Sequence, residues 1–463
     1  TNKIKFGDIT EKDFAAKVYS LDSSASAVII SDIGSSSIEG NTKGWFSLVF
    51  KRHRRIHILN KNGYDLSNVS IRLYSDNEDE EKLDKLKAVT YNLENGKVVE
   101  SKLDVKENVF KDKLNRNWVE RKFTFPNVKE GSIIEYEYSI TSDFLNNLQP
   151  WQYQGAYPCL WSEYNLSLPD FLGYVFLTQG YKQYDIQDRK EKFQTFQVTD
   201  TRTSFSSDRY TISSNVVDFR WVMKNVSALK EENFTSSIDN HIAKIEFQLA
   251  EFRKPLQEKK LIDSWQTVAD NLMKAEYFGE QVKPDAGWAK EVSQSVVRGI
   301  TDPAAKAKSI YEWVKSNMTC TSQSRFTMDQ TLKNLLKSRK GNVSEINLLL
   351  TTLLLQEGIA ARPVILSTRA NGRAYSMYPL LSQYNYVVSL ALINGKPVYL
   401  DASEPLLGFG HLPLRCYNGE ARLIGERAEV VSLHADSVHE TKYTTVFVVN
   451  DEKGNIIGTK VQT

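Results

Sequence analysis

The stretch Ser344 to Glu357, SEINLLLTTLLLQE, is apolar on nearly every side of a helical turn. A helix of that kind has no solvent face, so other elements must wrap it on all sides. This demand constrains the rest of the chain. Enough helices and strands must enclose one central helix. Gly358 stops it, and the β-rich run ARPVILST follows from Ala361.

The residues around it supply such elements. Trp265, Val268, Ala269, Leu272 and Met273 recur at helical spacing and predict an amphipathic helix. In TDPAAKAKSIYEWVKSNM, Thr301 or Asp302 can cap and Pro303 suits the first turn. Ile310, Trp313, Val314 and Met318 then share one face. QTLKNLLKSRKG is a third, shorter helical pattern. Strand patterns come after the central helix: ARPVILST, YNYVVSLALI and KPVYLDAS, with Asn394-Gly395 at a hairpin turn. Helices followed by an antiparallel sheet make an α+β domain, expected over 251–430.

Residues 1–250 read differently. In SIIEYEYSI, Ile134, Tyr136, Tyr138 and Ile140 fall on one face, while Glu135, Glu137 and Ser139 fall on the other. NVSIRLYS, EYNLSLP, RYTISS and VVDFRWVM have similar strand composition, and NKNGYD, LENGKV and VKEGS are turn signals between strands. The 22 Tyr and 21 Phe suit such strands. The expectation is an antiparallel β-sandwich. KRHRR (Lys51 to Arg55) reads as an exposed strand or hairpin. DNEDEE (Asp76 to Glu81) reads as a solvated loop, without the Gly and spaced ligands of a calcium loop. From Lys442 a hairpin pattern returns, so 431–463 is expected to hold the first strands of a further β domain. The fold class is multidomain, and 463 residues suit two to four domains.

Composition excludes several functions. A net charge of +2 gives no reason to expect nucleic acid as partner. Cys159, Cys320 and Cys416 are far apart with no CxxC spacing, and the six histidines form no HExxH, so no metal or other cofactor is expected. The longest apolar stretch, Leu348 to Leu355, is too short for a transmembrane segment. The chain begins at Thr1 in a polar run, which fits a mature or trimmed chain whose signal peptide, if it had one, is gone; this alone does not settle the compartment.

The run RKGNVSEINLLLTTLLLQEGIAARPVIL, followed by YNYVVSLALINGKPVYLDAS, resembles the core of the transglutaminase-like superfamily. Gly341, Glu345, Gly358, Ile359, Ala361, Arg362 and Asp401 fall on that pattern. The resemblance implies a papain-like fold, with a Cys at the start of the central helix, a His on a neighbouring strand and an Asp that orients the His. A helix N-terminus would favour the thiolate, and the His would take its proton. FTFPNVKEGSIIEYEYSI and LQPWQYQGAYPCLWSEYNLSLP resemble a β domain of unknown function that precedes such cores in bacterial envelope proteins. The resemblance therefore implies a periplasmic or cell-surface setting.

The departures from the family pattern carry the functional expectation. The Cys position holds Val343 and the aligned His position holds Asn385, leaving only Asp401 of the three. The spacings of 42 and 16 residues survive. Ser344, Cys320 and Cys416 are weighed as replacement nucleophiles. Ser344 suits an N-cap better, and the two thiols suit buried packing. Glu345 suits the helix N-terminus, though it could also bind a ligand. The insertion STRANGRAYSMYPLLSQYNY carries Arg369, Asn371, Arg373, Tyr375, Tyr378, Tyr384 and Tyr386, residue types favoured at binding surfaces. The expected cleft-binding set is Ser344, Glu345, Arg369, Asn371, Tyr384 and Tyr386. The expected function is a catalytically inactive binding or scaffold module for a peptide, cell-wall fragment, glycan or envelope protein. The alternatives are a cysteine-independent hydrolase or acyltransferase with a rebuilt site, and a purely structural assembly module.

Overall fold

The computed structural model describes residues 4–76, 78–114, 117–201, 208–232, 235, 237–375, 377–436, 438 and 443–462. The chain divides into two compact units, Thr1–Asp263 and Ser264–Thr463. The boundary lies beyond residue 250 because the strand Lys244–Phe252 belongs to a sheet of the first unit.

An eight-stranded sheet dominates the first unit. Its spatial order is Ile186–Asp200, Asp208–Val226, Cys159–Pro169, Ala27–Gly40, Phe46–Ile58, Ile133–Ser142, Lys82–Glu94 and Lys97–Lys102. Neighbours are antiparallel except Ala27–Gly40 and Cys159–Pro169, which run parallel. Two smaller sheets, built around Lys244–Phe252 and Trp118–Thr124, share one core with it. Ile134, Tyr136, Tyr138 and Ile140 enter that core together, as their alternation requires.

The opposite face departs from simple alternation. Glu135 is fully buried, because residues 5–14 cover that end of the sheet. Phe6, Ile9 and Phe14 pack there with Tyr91 and Ile133. Glu135 accepts from His53, Arg55, Tyr91 and the Gly7 N–H. Burial opposes its ionisation, but the hydrogen bonds from His53 and Gly7 and the Arg55 charge outweigh this and hold its carboxyl below the usual range.

The basic run is also not a solvated strand. Arg52 and Arg54 turn to the core side, where Arg52 grips the buried Asp32 through two bonds of 2.8 and 2.6 Å. Only Lys51 of the five points freely to solvent.

In the second unit the central helix spans Val343–Gln356, and every residue from Val343 to Leu354 is buried. The helices Gly287–Val296, Pro303–Asn317 and Leu332–Ser338 surround it, together with the strands Ala361–Leu366 and Tyr386–Ile393. Burial holds this helix: truncating one of its core leucines to Ala costs about 2–5 kcal/mol. Gly358, at φ +75°, ends it, and the N–H groups of Gly358 and Ile359 return to Leu355 and Leu354. Trp265–Lys274 and Pro303–Asn317 form as the periodicity predicts, with Asp302 as the cap. Gly287–Val296 was not anticipated, since its short run buries only Ala289 and Ser293 fully.

The sheet of this unit has five antiparallel strands, in the order Lys396–Leu400, Tyr386–Ile393, Ala361–Leu366, Gly419–Leu423 and Val430–Leu433. Asn394 and Gly395 both have positive φ, as a type I′ hairpin needs. Because Val430–Leu433 is an edge strand here, a new domain cannot start at 431 without cutting the sheet. The hairpin Thr444–Asn450 with Ile456–Gln462 forms near the C-terminus, while Lys442 lies outside the described residues. Among the described residues no helix is long and apolar enough to cross a membrane.

Candidate functional site

The amino end of the central helix is where thiol chemistry would sit. Asn342 is its N-cap: its side chain accepts from the Glu345 N–H at 3.0 Å, and Glu345 accepts the Asn342 N–H in return at 3.0 Å. Ser344 is therefore not the cap. It lies within the first turn, fully buried, and its hydroxyl donates to the Phe326 carbonyl at 3.0 Å.

Glu345 is saturated internally. Its carboxylate also accepts the Asp329 and Gln330 N–H groups and the Gln330 amide, at 2.7, 3.0 and 3.2 Å. It thus pins the loop before Leu332–Ser338 onto the helix start and has little capacity left for a ligand.

Val343 is fully buried in a cluster with Val364, Leu366, Tyr386, Val388, Leu412 and Cys416. The position that the resemblance assigns to the nucleophile is thus enclosed by a largely apolar cluster. Cys320 and Cys416 join the same cluster. Burial pushes both thiols up, Cys416 strongly, which disfavours the reactive thiolate.

Asp401 lies at the end of the strand Lys396–Leu400 and is fully buried. Oδ1 accepts the Asn347 amide at 2.9 Å, the Ser403 N–H at 2.9 Å and the Ser403 hydroxyl at 2.7 Å. Oδ2 accepts the Tyr386 hydroxyl at 2.7 Å. Asn347 also accepts the Ala402 N–H, which ties helix to strand. Burial, reinforced by the Asp401 charge, raises the Tyr386 phenol far above its ordinary range.

The structure thus brings Val343, Tyr386 and Asp401 together but leaves Asn385 aside. Asn385 Oδ1 accepts the Thr368 N–H, and the side-chain NH2 donates to the Thr368 and Ser324 hydroxyls. The other expected binding residues are internal struts. Arg369 donates to the Tyr417 carbonyl and Asn371 to Ser367 and the Gln383 carbonyl. Tyr384 is buried edge-on against Trp265. Sequence reasoning missed Asn347 and Ser403. A signal existed for the first: Asn347 and Thr351 sit four residues apart, in line with Val343, and form a short polar stripe along an otherwise apolar helix.

Residues 290–393 match the transglutaminase-like superfamily. The second unit carries a transglutaminase-like core. Residues 46–211 match DUF3857, a domain of unknown function with a solved structure. A crystal structure from Parabacteroides distasonis ATCC 8503, provisionally named a protease, shares the fold. It aligns with a TM-score of 0.55 at 14% identity, over 89% of this chain and 72% of that one. A second crystal structure, provisionally named a cysteine protease, comes from Cytophaga hutchinsonii. It aligns over 65% of this chain and 85% of that chain at 13% identity, and its TM-score of 0.23 carries no argument. No curated protein matches the chain.

In this core hydroxyl donors, those of Tyr386 and Ser403, sit beside Asp401. Ser403, Tyr386 and Asp401 are within hydrogen-bond reach of one another. All three are nearly inaccessible, so the trio braces the helix against the sheet and faces no cleft.

Proposed function

We propose that this chain is a catalytically inactive transglutaminase-like protein that binds or scaffolds a ligand in the bacterial envelope. The observation that carries this reading is Val343, which has no nucleophilic atom and is sealed in an apolar cluster at the helix N-terminus. The engagement of Asp401 by Tyr386, Asn347 and Ser403 supports it, because no imidazole is held there to accept a proton. The periplasmic or cell-surface setting rests on the resemblance to envelope proteins with this domain pair. A peptide, cell-wall fragment or glycan is the ligand class in view.

The test is protease, amidase and transamidase assays on the purified chain, with and without iodoacetamide. No turnover is expected. Turnover that iodoacetamide abolishes overturns the reading, and turnover lost in Ser403→Ala points instead to a rebuilt hydroxyl site.

A further inference from the structure

Because the second unit's old site is closed, a ligand needs another place. The outer face of the eight-stranded sheet in the first unit has one. Two hollows, of about 720 and 310 Å³, share Ile33, Ser35, Lys51 and His53 and so form one trough. The trough crosses the strands rather than following them. It runs from Lys190 on Ile186–Asp200 to Lys85 on Lys82–Glu94. Six interstrand steps of about 4.8 Å make it roughly 30 Å long.

Its charges are unevenly satisfied. Glu163 is held by Arg220 through bonds of 2.9 and 3.1 Å, Asp188 lies 3.6 Å from the same guanidinium, and Asp218 pairs with Lys192 at 2.9 Å. The lysines Lys5, Lys51, Lys85 and Lys190 line the trough, and none has an ion-pair partner among the described residues. The hydroxyls of Ser35 and Ser37 are equally unengaged among those residues. What the trough leaves unsatisfied is positive charge spread along its length, with free hydroxyls between.

We infer that this trough binds an extended acidic saccharide, a chain carrying carboxylates at intervals. The spacing of the lysines suits a polymer better than a single small anion. Ser35, Ser37 and the Asn165 carbonyl oxygen can meet sugar hydroxyls, and the Trp161 indole lines the same space. An acidic peptide fits less well. Peptides commonly bind sheets by adding a strand to an edge, whereas the floor strands Ala27–Gly40, Phe46–Ile58 and Cys159–Pro169 are already paired on both sides. Exposed lysines make such binding salt-sensitive.

This inference rests on reading the chain as a binding module, yet the two fail separately. Thiol-dependent turnover overturns the proposed function, whatever the trough does. The test here is calorimetric titration of the full chain with polygalacturonate at low and high salt, beside neutral dextran and polyglutamate. Polygalacturonate binding that weakens with salt is expected, with little binding of the other two. Lys51→Gln and Lys190→Gln each weaken it about 2–5-fold. The triple variant Lys51→Gln/Lys85→Gln/Lys190→Gln weakens it more than about 10-fold. The charge-matched control Lys97→Gln/Lys106→Gln/Lys259→Gln, whose lysines do not line the trough, retains it. Absence of polygalacturonate binding, equal binding of dextran or polyglutamate, or a triple variant that binds as well as the control overturns the inference.

Discussion

The Tyr386 hydroxyl donates to Asp401 Oδ2 across 2.7 Å, and both residues are sealed from solvent. A buried carboxylate that loses a donor pays the desolvation of that oxygen. Tyr386→Phe keeps the ring packed against Val343 and removes only the hydroxyl. The expected loss is about 1–3 kcal/mol of unfolding free energy, read by urea denaturation. A neutral result would mean that the bond does not brace the helix against the sheet.

Glu345 makes a second such brace, with four donors around one carboxylate. In Glu345→Gln an NH2 group faces some of those donors, and the charge is gone. The cost is expected at about 2–3 kcal/mol. Hydrogen exchange should quicken first at Asp329 and Gln330, whose amides the carboxylate holds. Uniform exchange across the unit would contradict the local role.

Val343→Cys is close to isosteric, so it should fold. Its thiol should resist iodoacetamide in the native state and react fully in denaturant, since position 343 is enclosed. Native-state alkylation at the rate of an exposed thiol would show an open cleft where the structure has a packed one. Adding Tyr386→His, rather than Asn385→His, is the second change that places a base beside Asp401.

His57 gives the first unit a pH dependence. Burial, aided by the charge of Lys17, lowers it from 6.5 to about 4, with Asp13 acting in the opposite sense. Its Nδ1 lies 2.9 Å from the Tyr19 hydroxyl. Between those values the unfolded chain binds a proton that the folded one does not, so stability is full above pH 6.5 and falls as the pH drops toward 4. The total is at most about 3 kcal/mol. His57→Gln should flatten the stability profile over this window, and an unchanged slope would assign the acid sensitivity elsewhere.

Most of the element order in the second unit was legible because periodicity changes visibly at its other helices and at the strands after the central one, whereas the short helix Gly287–Val296 was not. The Ser344 to Glu357 run announced a buried helix, and Asn394-Gly395 announced its hairpin. The neighbourhood of Asp401 was legible only in part, since Tyr386 and not Asn385 reaches it. Asn385 and Tyr386 are adjacent at the start of one strand, and neighbouring side chains there point to opposite faces. A one-residue difference in alignment thus exchanges a surface amide for a buried phenol. Nor could alternation reveal that Glu135 is buried, since the segment that covers it lies more than a hundred residues away. The paired arginines of the basic run were hidden for a similar reason. Their partner Asp32 belongs to another strand, and charge runs alone suggest solvent.

On the proposed reading, the closed packing around Val343 also acts as a ratchet on the chain's history. Val343→Cys alone supplies a thiol with no base beside it. Tyr386→His alone disturbs a buried carboxylate and supplies a base with no nucleophile. Neither single step returns chemistry, and Tyr386→His also risks stability, so on the proposed reading selection has no gradient toward turnover. A fold held in this way is free to diversify on its other surfaces while the packing at the start of its central helix stays fixed.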